Sequence, residues 1–428
     1  MSEPETVTEP ATTPEEAGPP SVAARLAVYQ RAGGIITPLL TATLAFLIGG
    51  LVVVATTGKS PFSTYKAIFE GAGLNWFFQV GSYSIRLPFS THHVWFPWNT
   101  AFASTAGFNL QQTLILAAPL ILTGLAVAFA FRCGLFNIGG NGQYTVGAVF
   151  ATQFGVWFVG LPKPVHILLA LGVAALAGAA WAGIAGILKA TVGAHEVITT
   201  IMLNWIALWV ASWLIGIGGP LQQNNPGQES VPESSTIANS AHLPVFWGSP
   251  LLQGLHIGIF IAIGALVVYW LVLNRTTLGF EVRAVGYNPE AARYSGISVA
   301  KNYFLAMAIS GAFAGIAGGI DLLGWEFKLD ITDVQSTQLG FIGIAVALLG
   351  RNKPIGIFLA AILFGALLTG TSTRNLDPTI FQPELAGNLS RIIQGLVVLF
   401  VGADVLILYL WNARRRLRRG QPEAVASQ

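Results

Sequence analysis

Residues Arg275 to Lys301 read RTTLGFEVRAVGYNPEAARYSGISVAK. This polar break separates two long apolar runs, Leu255 to Asn274 and Tyr303 to Leu323. It carries too much charge to lie in hydrocarbon, so it faces water on one side of a membrane while its flanks cross. Within it, NPEAARY (Asn288 to Tyr294) predicts a short helix. Asn288 is a good N-cap, Pro289 fits the first helical position, Glu290 suits the positive end of the helix, and the pair Ala291 and Ala292 has high helix propensity. Gly296 supplies the stop just beyond. A short, rigid, polar helix held between two spans suits reception of force from a soluble partner. An ordinary solvated loop is the alternative.

Composition agrees with a membrane chain. Of 428 residues, 53% are hydrophobic and 10% charged, against a charged share of about 25% in soluble domains. The formal net charge of +3 points to no nucleic-acid site; the placement of the basic residues sets orientation instead. A single cysteine, Cys133, leaves no intrachain disulfide and is read as a small packing residue with no metal role.

Outward from the central break, the chain is all-α: a polytopic helical membrane protein with about ten transmembrane segments. Residues 1–31 read as a disordered tail, rich in Pro, Glu, Thr and Ala, and the span Ile35 to Ala55 follows. TTGKS (Thr56 to Ser60) resembles the end of a phosphate loop, but Val53 stands where its first glycine would be, and a membrane helix precedes it. No nucleotide site is therefore read in this chain. Residues 57–111 form an aromatic-rich region in which Trp76, Phe77, Trp95, Phe96, Pro97 and Trp98 serve as interfacial anchors or as a folded cap.

Further spans are read at Thr113 to Phe131, Tyr144 to Val159, Val165 to Leu188 and Val197 to Gly218. After the central break come Tyr303 to Leu323, Pro354 to Thr373 and Leu389 to Trp411. Small residues recur every four positions at Gly178, Ala182 and Gly186, and again at Gly311, Gly315 and Gly319, which lets neighbouring helices approach closely. The apolar run Leu339 to Gly350 spans only about 18 Å as a helix, too short to cross. It either borrows residues from Val334 onward or is a broken or re-entrant element buried inside the protein.

With the N-terminus inside, fifteen of the 22 Lys and Arg fall on the inner side, including the tail RRRLRR (Arg414 to Arg419). This excess places both termini and residues 275–302 in the cytoplasm, with residues 57–111 and 219–254 outside, a membrane domain over 32–412 and a basic cytoplasmic tail over 413–428.

Four segments carry a family resemblance: PLILTGLAVAFAFRCGLFNIGGNGQ (Pro119 to Gln143), HEVITTIMLNWIA (His195 to Ala207), TLGFEVRAVGYNPEAARYSGI (Thr277 to Ile297) and GFIGIAVALLGRNKPIG (Gly340 to Gly356). Together they resemble the permease subunit of a bacterial ATP-binding-cassette importer, in the branch of simple-sugar and nucleoside permeases. Asn141 departs from the acidic residue usual in the first segment, and His195 from the asparagine usual in the second. The resemblance implies a multi-pass protein of the bacterial cytoplasmic membrane, not itself an enzyme and without a cofactor of its own. ATP and Mg would be used by a separate cytoplasmic ATPase. It also implies a second permease subunit of different sequence, an extracellular substrate-binding lipoprotein, and membrane lipid around the chain. The ATPase would receive the third segment as a coupling loop, so Arg283, Gly286, Asn288, Pro289, Glu290, Ala291, Ala292, Arg293 and Gly296 are candidates for coupling. For Arg283 and Arg293 a solvated loop face is the simpler account.

A nucleoside or sugar is neutral and rich in hydroxyls, so its path needs hydrogen-bonding groups without full charge. Asn137, Asn141, Gln143 and Asn204 are the candidates at membrane depth, with Trp205 as a stacking surface. Helix capping or interhelical hydrogen bonding is the alternative for each. Glu196 reads as an anchor at a span end, and Asp321 is a second ionisable group near one. No catalytic or metal-ligating set is read. The rival function is an ion-gradient-driven secondary transporter of a small polar solute, which would place unpaired Asp, Glu or His in mid-span. An intramembrane hydrolase would need a nucleophile and base within the bilayer, and the histidines all fall in loops or at span ends.

Overall fold

The computed structural model describes residues 42–55, 58, 60–78, 84–86, 93–95, 105–223, 230–248 and 254–372, with isolated positions between 388 and 399. Both expected tails, most of the last expected span, and Phe96, Pro97 and Trp98 lie outside these residues. The described helices are α1 (Ala42–Ala55), α2 (Pro61–Gly71), α3 (Thr105–Arg132), α4 (Gly140–Trp157), α5 (Lys163–Val192), α6 (Glu196–Ile215) and α7 (Gly258–Arg275). They continue with α8 (Thr277–Tyr287), α9 (Pro289–Tyr294), α10 (Val299–Asp321), α11 (Ile331–Ser336), α12 (Leu339–Leu349) and α13 (Pro354–Gly370). Four short strands, β1 (Ser84–Arg86), β2 (His93–Trp95), β3 (Val245–Trp247) and β4 (Leu255–His256), pair as two antiparallel ribbons.

Among the described residues six helical segments are long and apolar enough to cross a membrane: α3, α5, α6, α7, α10 with its extension to Glu326, and the segment from Ile331 to Leu349. The shorter apolar helices α1 and α13 add to them. The chain is an all-α polytopic membrane protein.

The bundle is built around α3. Residues 117–130 are buried without interruption, as a helix apolar on every side must be. Its neighbours are α7, α10, α12 and α13. It starts at Thr105, well before the apolar run at Thr113, because its polar first turns have partners inside the protein. Thr113 Oγ1 donates to the Ala72 carbonyl at 2.8 Å, and Asn109 Nδ2 reaches the Glu70 carbonyl at 3.5 Å.

The two faces of small residues meet. Helix α10 lies along α5 so closely that a Cβ added at Gly311 would stand 2.2 Å from the Gly178 carbonyl oxygen, and one at Gly315 would stand 2.2 Å from that of Ala174. A Cβ at Gly147 of α4 would stand 2.4 Å from the Cα of Gly315. Three backbones therefore cross at Gly315, held by dispersion rather than by a hydrophobic force that lipid would not supply.

Trp76 is a cap residue rather than an interfacial anchor. It is buried against Trp247, with ring centroids 5.2 Å apart, and against Ala106 and Leu110; Phe77 stays half-exposed.

Helix α10 continues into a π-helical turn, Leu322–Glu326, closed by the Phe327 amide on the Leu322 carbonyl at 2.9 Å. The segment 230–248 straps this turn from outside the bundle. The amides of Ser234, Ile237 and Leu243 donate to the carbonyls of Leu329, Phe327 and Leu323, each at 2.8 Å. Lys328 pairs with Glu233 at 2.5 Å. His242 stacks on Phe327 with centroids 4.1 Å apart and donates from Nε2 to the Ile237 carbonyl when neutral.

Burial holds the His242 imidazole below its ordinary pKa, and Lys163 adds to the effect against the Ile237 hydrogen bond. The unfolded strap therefore binds more protons than the folded one once the pH falls below about 6.5, so the stability conferred by neutral His242 is complete above that pH and is lost below it. Hydrogen exchange over residues 230–248, corrected for intrinsic rates, is expected to quicken on going from neutral to acidic pH. His242→Phe, which keeps a ring on Phe327, is expected to remove the dependence; an unchanged pH profile in that variant would reject His242 as its source.

The short run at Leu339 to Gly350 resolves as both sequence alternatives at once. Helix α11 supplies residues upstream, and the chain breaks at Thr337 and Gln338, both outside helical geometry, before α12 begins.

Candidate functional site

Two features on opposite ends of α3 stand out. The first is a cavity of about 730 Å³ walled by the first half of α3, by α4, by the π turn, by the α11–α12 break and by the end of α13. Its polar lining comes from Asn109 and Gln112 on α3, Tyr144 and Thr145 on α4, and Thr337 and Gln338 at the break. Phe108 and Trp325 bring aromatic rings to it. Asp321, Glu326 and Asp333 add carboxyl groups, and Arg391 a guanidinium.

Asp321 is 8% exposed and accepts a hydrogen bond from the Tyr144 hydroxyl. A carboxyl group this deep is costly unless it is partnered or wetted, and here it is both partnered and next to a cavity. The π turn explains how Asp321 and Glu326 reach the same space. Residues five apart in an α-helix point about 140° apart, whereas the i to i+5 bonding of a π turn brings them towards one side.

The cavity can therefore accept hydrogen bonds from several hydroxyl or amino groups of one ligand while flat rings cover an apolar face. Among the described residues no group of three His, Cys, Asp or Glu is arranged to hold a metal ion.

The asparagines and glutamine named from sequence are placed elsewhere. Asn137 Nδ2 donates to Gln143 Oε1 at 2.8 Å and to Ser310 Oγ at 2.7 Å, and its Oδ1 accepts from the Gly139 amide at 2.8 Å. Gln143 returns a bond to Asn137 at 3.0 Å. Asn204 holds the start of α4 to α6, accepting from the Gly142 amide at 2.7 Å and donating to the Ile138 carbonyl at 2.9 Å. Asn141 packs its backbone against Gly340 and accepts at its carbonyl from Thr145 at 3.0 Å. Trp205 is 58% exposed, in line with the exposed Trp209 and Trp213 on the outside of α6. None of the five lines the cavity. Asn137 and Asn204 fasten helices together, Gln143 braces Asn137, and the buried Asn141 Oδ1 has no hydrogen-bond partner among the described residues; the residues next to them in sequence, Tyr144 and Thr145, are the ones that face it. Glu196 pairs with Lys189 at 2.8 Å, tying the end of α5 to the start of α6.

The second feature is the helix pair α8–α9 at the other end of α3. Asn288 caps α9 by accepting from the amides of Glu290 and Ala291 at 3.0 and 3.1 Å, Pro289 opens the helix, and Gly296 leaves it with φ +81°. Ala292 is buried against the bundle while Tyr287 and Tyr294 are 90% and 92% exposed. Glu290, Ala291 and Arg293 are exposed as well; Arg283 is half-buried, with its Nε on the Gly279 carbonyl at 3.1 Å. The pair is seated on the end of α3 through Gly286, where a Cβ would stand 2.2 Å from the Arg132 carbonyl oxygen. It is a stiff, capped surface with aromatic rings facing out, and it touches the bundle at this backbone contact, at Ala292, and through Glu281, which accepts from Asn302 of α10 at 3.1 Å.

Known proteins share this sequence over most of its length. The chain is similar to the guanosine ABC transporter permease protein NupP of Bacillus subtilis, with 36% identity over 395 residues that cover 91% of this chain and 99% of NupP. The glucose ABC transporter permease protein TsgB13 of Haloferax volcanii is 33% identical over 372 residues, 85% of this chain and 86% of its own. The guanosine ABC transporter permease protein NupQ of Bacillus subtilis is 31% identical over 262 residues, 60% of this chain and 79% of its own. No solved structure matches the chain. Residues 109–402 match the family described as the branched-chain amino acid transport system / permease component, and the chain belongs to that family.

Proposed function

We propose that this chain moves a nucleoside, or a simple sugar, through the cytoplasmic membrane as one permease of an ATP-driven importer. The observation that carries the reading is the cavity, whose hydrogen-bond acceptors and aromatic faces suit a neutral, hydroxyl-rich solute with a flat ring. Tyr144, Asp321, Glu326 and Asp333 would meet hydroxyl or amino groups, and Phe108 and Trp325 would cover the base or sugar face. Asn137, Gln143 and Asn204 would act at one remove, by holding the start of α4 to the helices around it.

Helices α8 and α9 would receive a separate cytoplasmic ATPase, which would bind ATP and Mg; Glu290, Arg293 and the exposed tyrosines form the contact surface. An extracellular binding lipoprotein would deliver the solute. The second permease would be a different chain, as the guanosine permeases NupP and NupQ of one organism both resemble this one.

An ion-gradient-driven carrier would route its ion through the same carboxyl groups, so the test separates the two. Uptake of labelled guanosine and of labelled pentoses is compared in cells lacking the chain and cells with it restored, with ATP depleted or with the proton gradient collapsed. Restored uptake is expected to stop with ATP depletion and to persist without the gradient. Uptake that survives ATP loss and stops with the gradient would overturn the proposal.

A further inference from the structure

We propose that Arg132 is a joint through which movement of α8–α9 reaches the α12–α13 hairpin that walls one side of the cavity. Arg132 closes α3, and its two ends touch different parts of the molecule. Its carbonyl oxygen lies against Gly286 of α8, close enough to leave no room for a Cβ. Its guanidinium donates from Nη2 to the Asn352 carbonyl at 2.9 Å, in the turn between α12 and α13. Gly134, with φ +75°, keeps the chain after Arg132 pressed on the same glycine.

The turn it holds is unusual in its backbone. Arg351 and Asn352 have φ of +51° and +54°, two consecutive non-glycine residues in the left-handed region. Such geometry persists only where the surroundings over-determine it. Here the Asn352 amide bonds the Ala347 carbonyl at 3.0 Å, Tyr269 donates to the Asn352 carbonyl at 2.9 Å, and Arg132 shares that same acceptor. Beyond the turn, α12 and α13 are in backbone contact, since a Cβ at Gly356 would stand 2.2 Å from the Gly350 carbonyl oxygen. They move as one hairpin, and Leu339, Ile342, Leu368 and Thr369 of that hairpin line the cavity.

The cavity wall on α3 ends at Leu116, about 24 Å along the helix from Arg132. A push on α8–α9 meets no cavity residue directly. It meets the Arg132 main chain, and the Arg132 side chain is tied to the hairpin whose far end walls the site. It also meets the start of α10 through Glu281, which accepts from Asn302 Nδ2 at 3.1 Å and pairs with Lys301 at 3.9 Å. Arg132 is on this account a positioning residue that touches neither solute nor nucleotide.

The inference rests on the reading that α8–α9 is driven by a partner ATPase, and the experiment keeps the two apart. The intact transporter is purified through a tag on this chain and placed in liposomes, and ATP hydrolysed is measured alongside labelled guanosine transported. Arg132→Ala is expected to keep hydrolysis within about twofold of the parent and to raise the ATP spent per guanosine about tenfold; Arg132→Lys, which keeps one donor, is expected to fall between. Should Arg132→Ala fail to assemble, Arg132→Met, which keeps the apolar stem and loses every donor, is read for the same rise in the ratio. A parental ratio in the readable variant would overturn the joint, whether hydrolysis and transport both hold or both fall. A parent complex without ATP hydrolysis would instead remove the ATP-driven reading on which the joint depends.

Discussion

Replacing Gly315 with valine is expected to eliminate folded protein from the membrane. At this residue α4, α5 and α10 cross backbone to backbone: a Cβ would stand 2.2 Å from the Ala174 carbonyl oxygen, and the Cα of Gly315 itself is what blocks a Cβ at Gly147. Overpacking of an ordinary core costs about 1–3 kcal/mol because side chains turn aside. Here the obstacle is main chain on both sides, so α10 must leave α5 along its length, and the paired face of Gly311 and Gly178 goes with it. Solubilised protein that elutes as a single peak is expected to drop about tenfold or more, since each 1.4 kcal/mol shifts the folded fraction tenfold once stability is marginal. Gly172→Ala serves as the comparison, as nothing lies within 4 Å of a Cβ there, and it is expected to keep the parental yield. Parental yield from Gly315→Val would mean that the three helices do not cross at this point.

The second large effect is expected at the cavity. Trp325→Ala removes a ring on the π turn without disturbing the strap hydrogen bonds to Leu323, Phe327 and Leu329, which are made by main chain. Stacking on a base is worth about 1–3 kcal/mol, so initial guanosine uptake per molecule of protein is expected to fall about tenfold. Glu326→Gln keeps the size of the side chain and loses an ionisable acceptor. A buried hydrogen bond is worth about 0.5–1.5 kcal/mol, and a smaller loss of about threefold to tenfold is expected. Trp205→Ala, on the exposed outside of α6, is expected to leave uptake within about twofold. The reverse ranking, with Trp205 sensitive and Trp325 and Glu326 silent, would move the solute path from the cavity to α6.

What the sequence showed and what it hid divide along the range of the interaction. The helix α9 was legible to the residue because an N-cap, a first-turn proline and a stopping glycine act within a few positions of each other. The faces of Gly178 and Gly311 were legible because spacing along one helix is enough to recognise a close-packing surface, though not to say which partner it meets. Asn137, Gln143 and Asn204 were found as buried polar groups, yet a polar side chain at membrane depth can serve a neighbour or a ligand, and composition cannot tell these apart. Which neighbours they bond depended on where Ser310, Gly142 and Ile138 lie, and Ser310 is 173 positions from Asn137.

The cavity itself draws on residues from Phe108 to Arg391. The sequence offered one signal for it: Asp321 as a charge near a span end. What brought Trp325 and Glu326 into the site was the widening of α10 into a π turn, and no residue type marks such a turn in advance. Tyr144 was hidden for a different reason. It follows the asparagine- and glutamine-rich start of α4 and reads as one more apolar residue of a span until its hydroxyl is seen on Asp321.

The break at Thr337 and Gln338 bears on how the chain is made as well as on how it works. Helix α12, with 11 residues, covers about 17 Å, and α11 is shorter still, so neither half offers the insertion machinery a full hydrophobic segment. Helix α13, with 17 residues, is itself at the lower limit. Although Ile331 to Leu349 is long enough to cross when taken together, its break favours entry of the α12–α13 hairpin as one unit, with α11 following it. Insertion of α12 is then expected to wait on synthesis past Gly370: with Ala345→Cys introduced in a Cys133→Ala chain, ribosome-stalled chains ending within α13 should still expose position 345 to water-soluble cysteine reagents that the complete protein excludes.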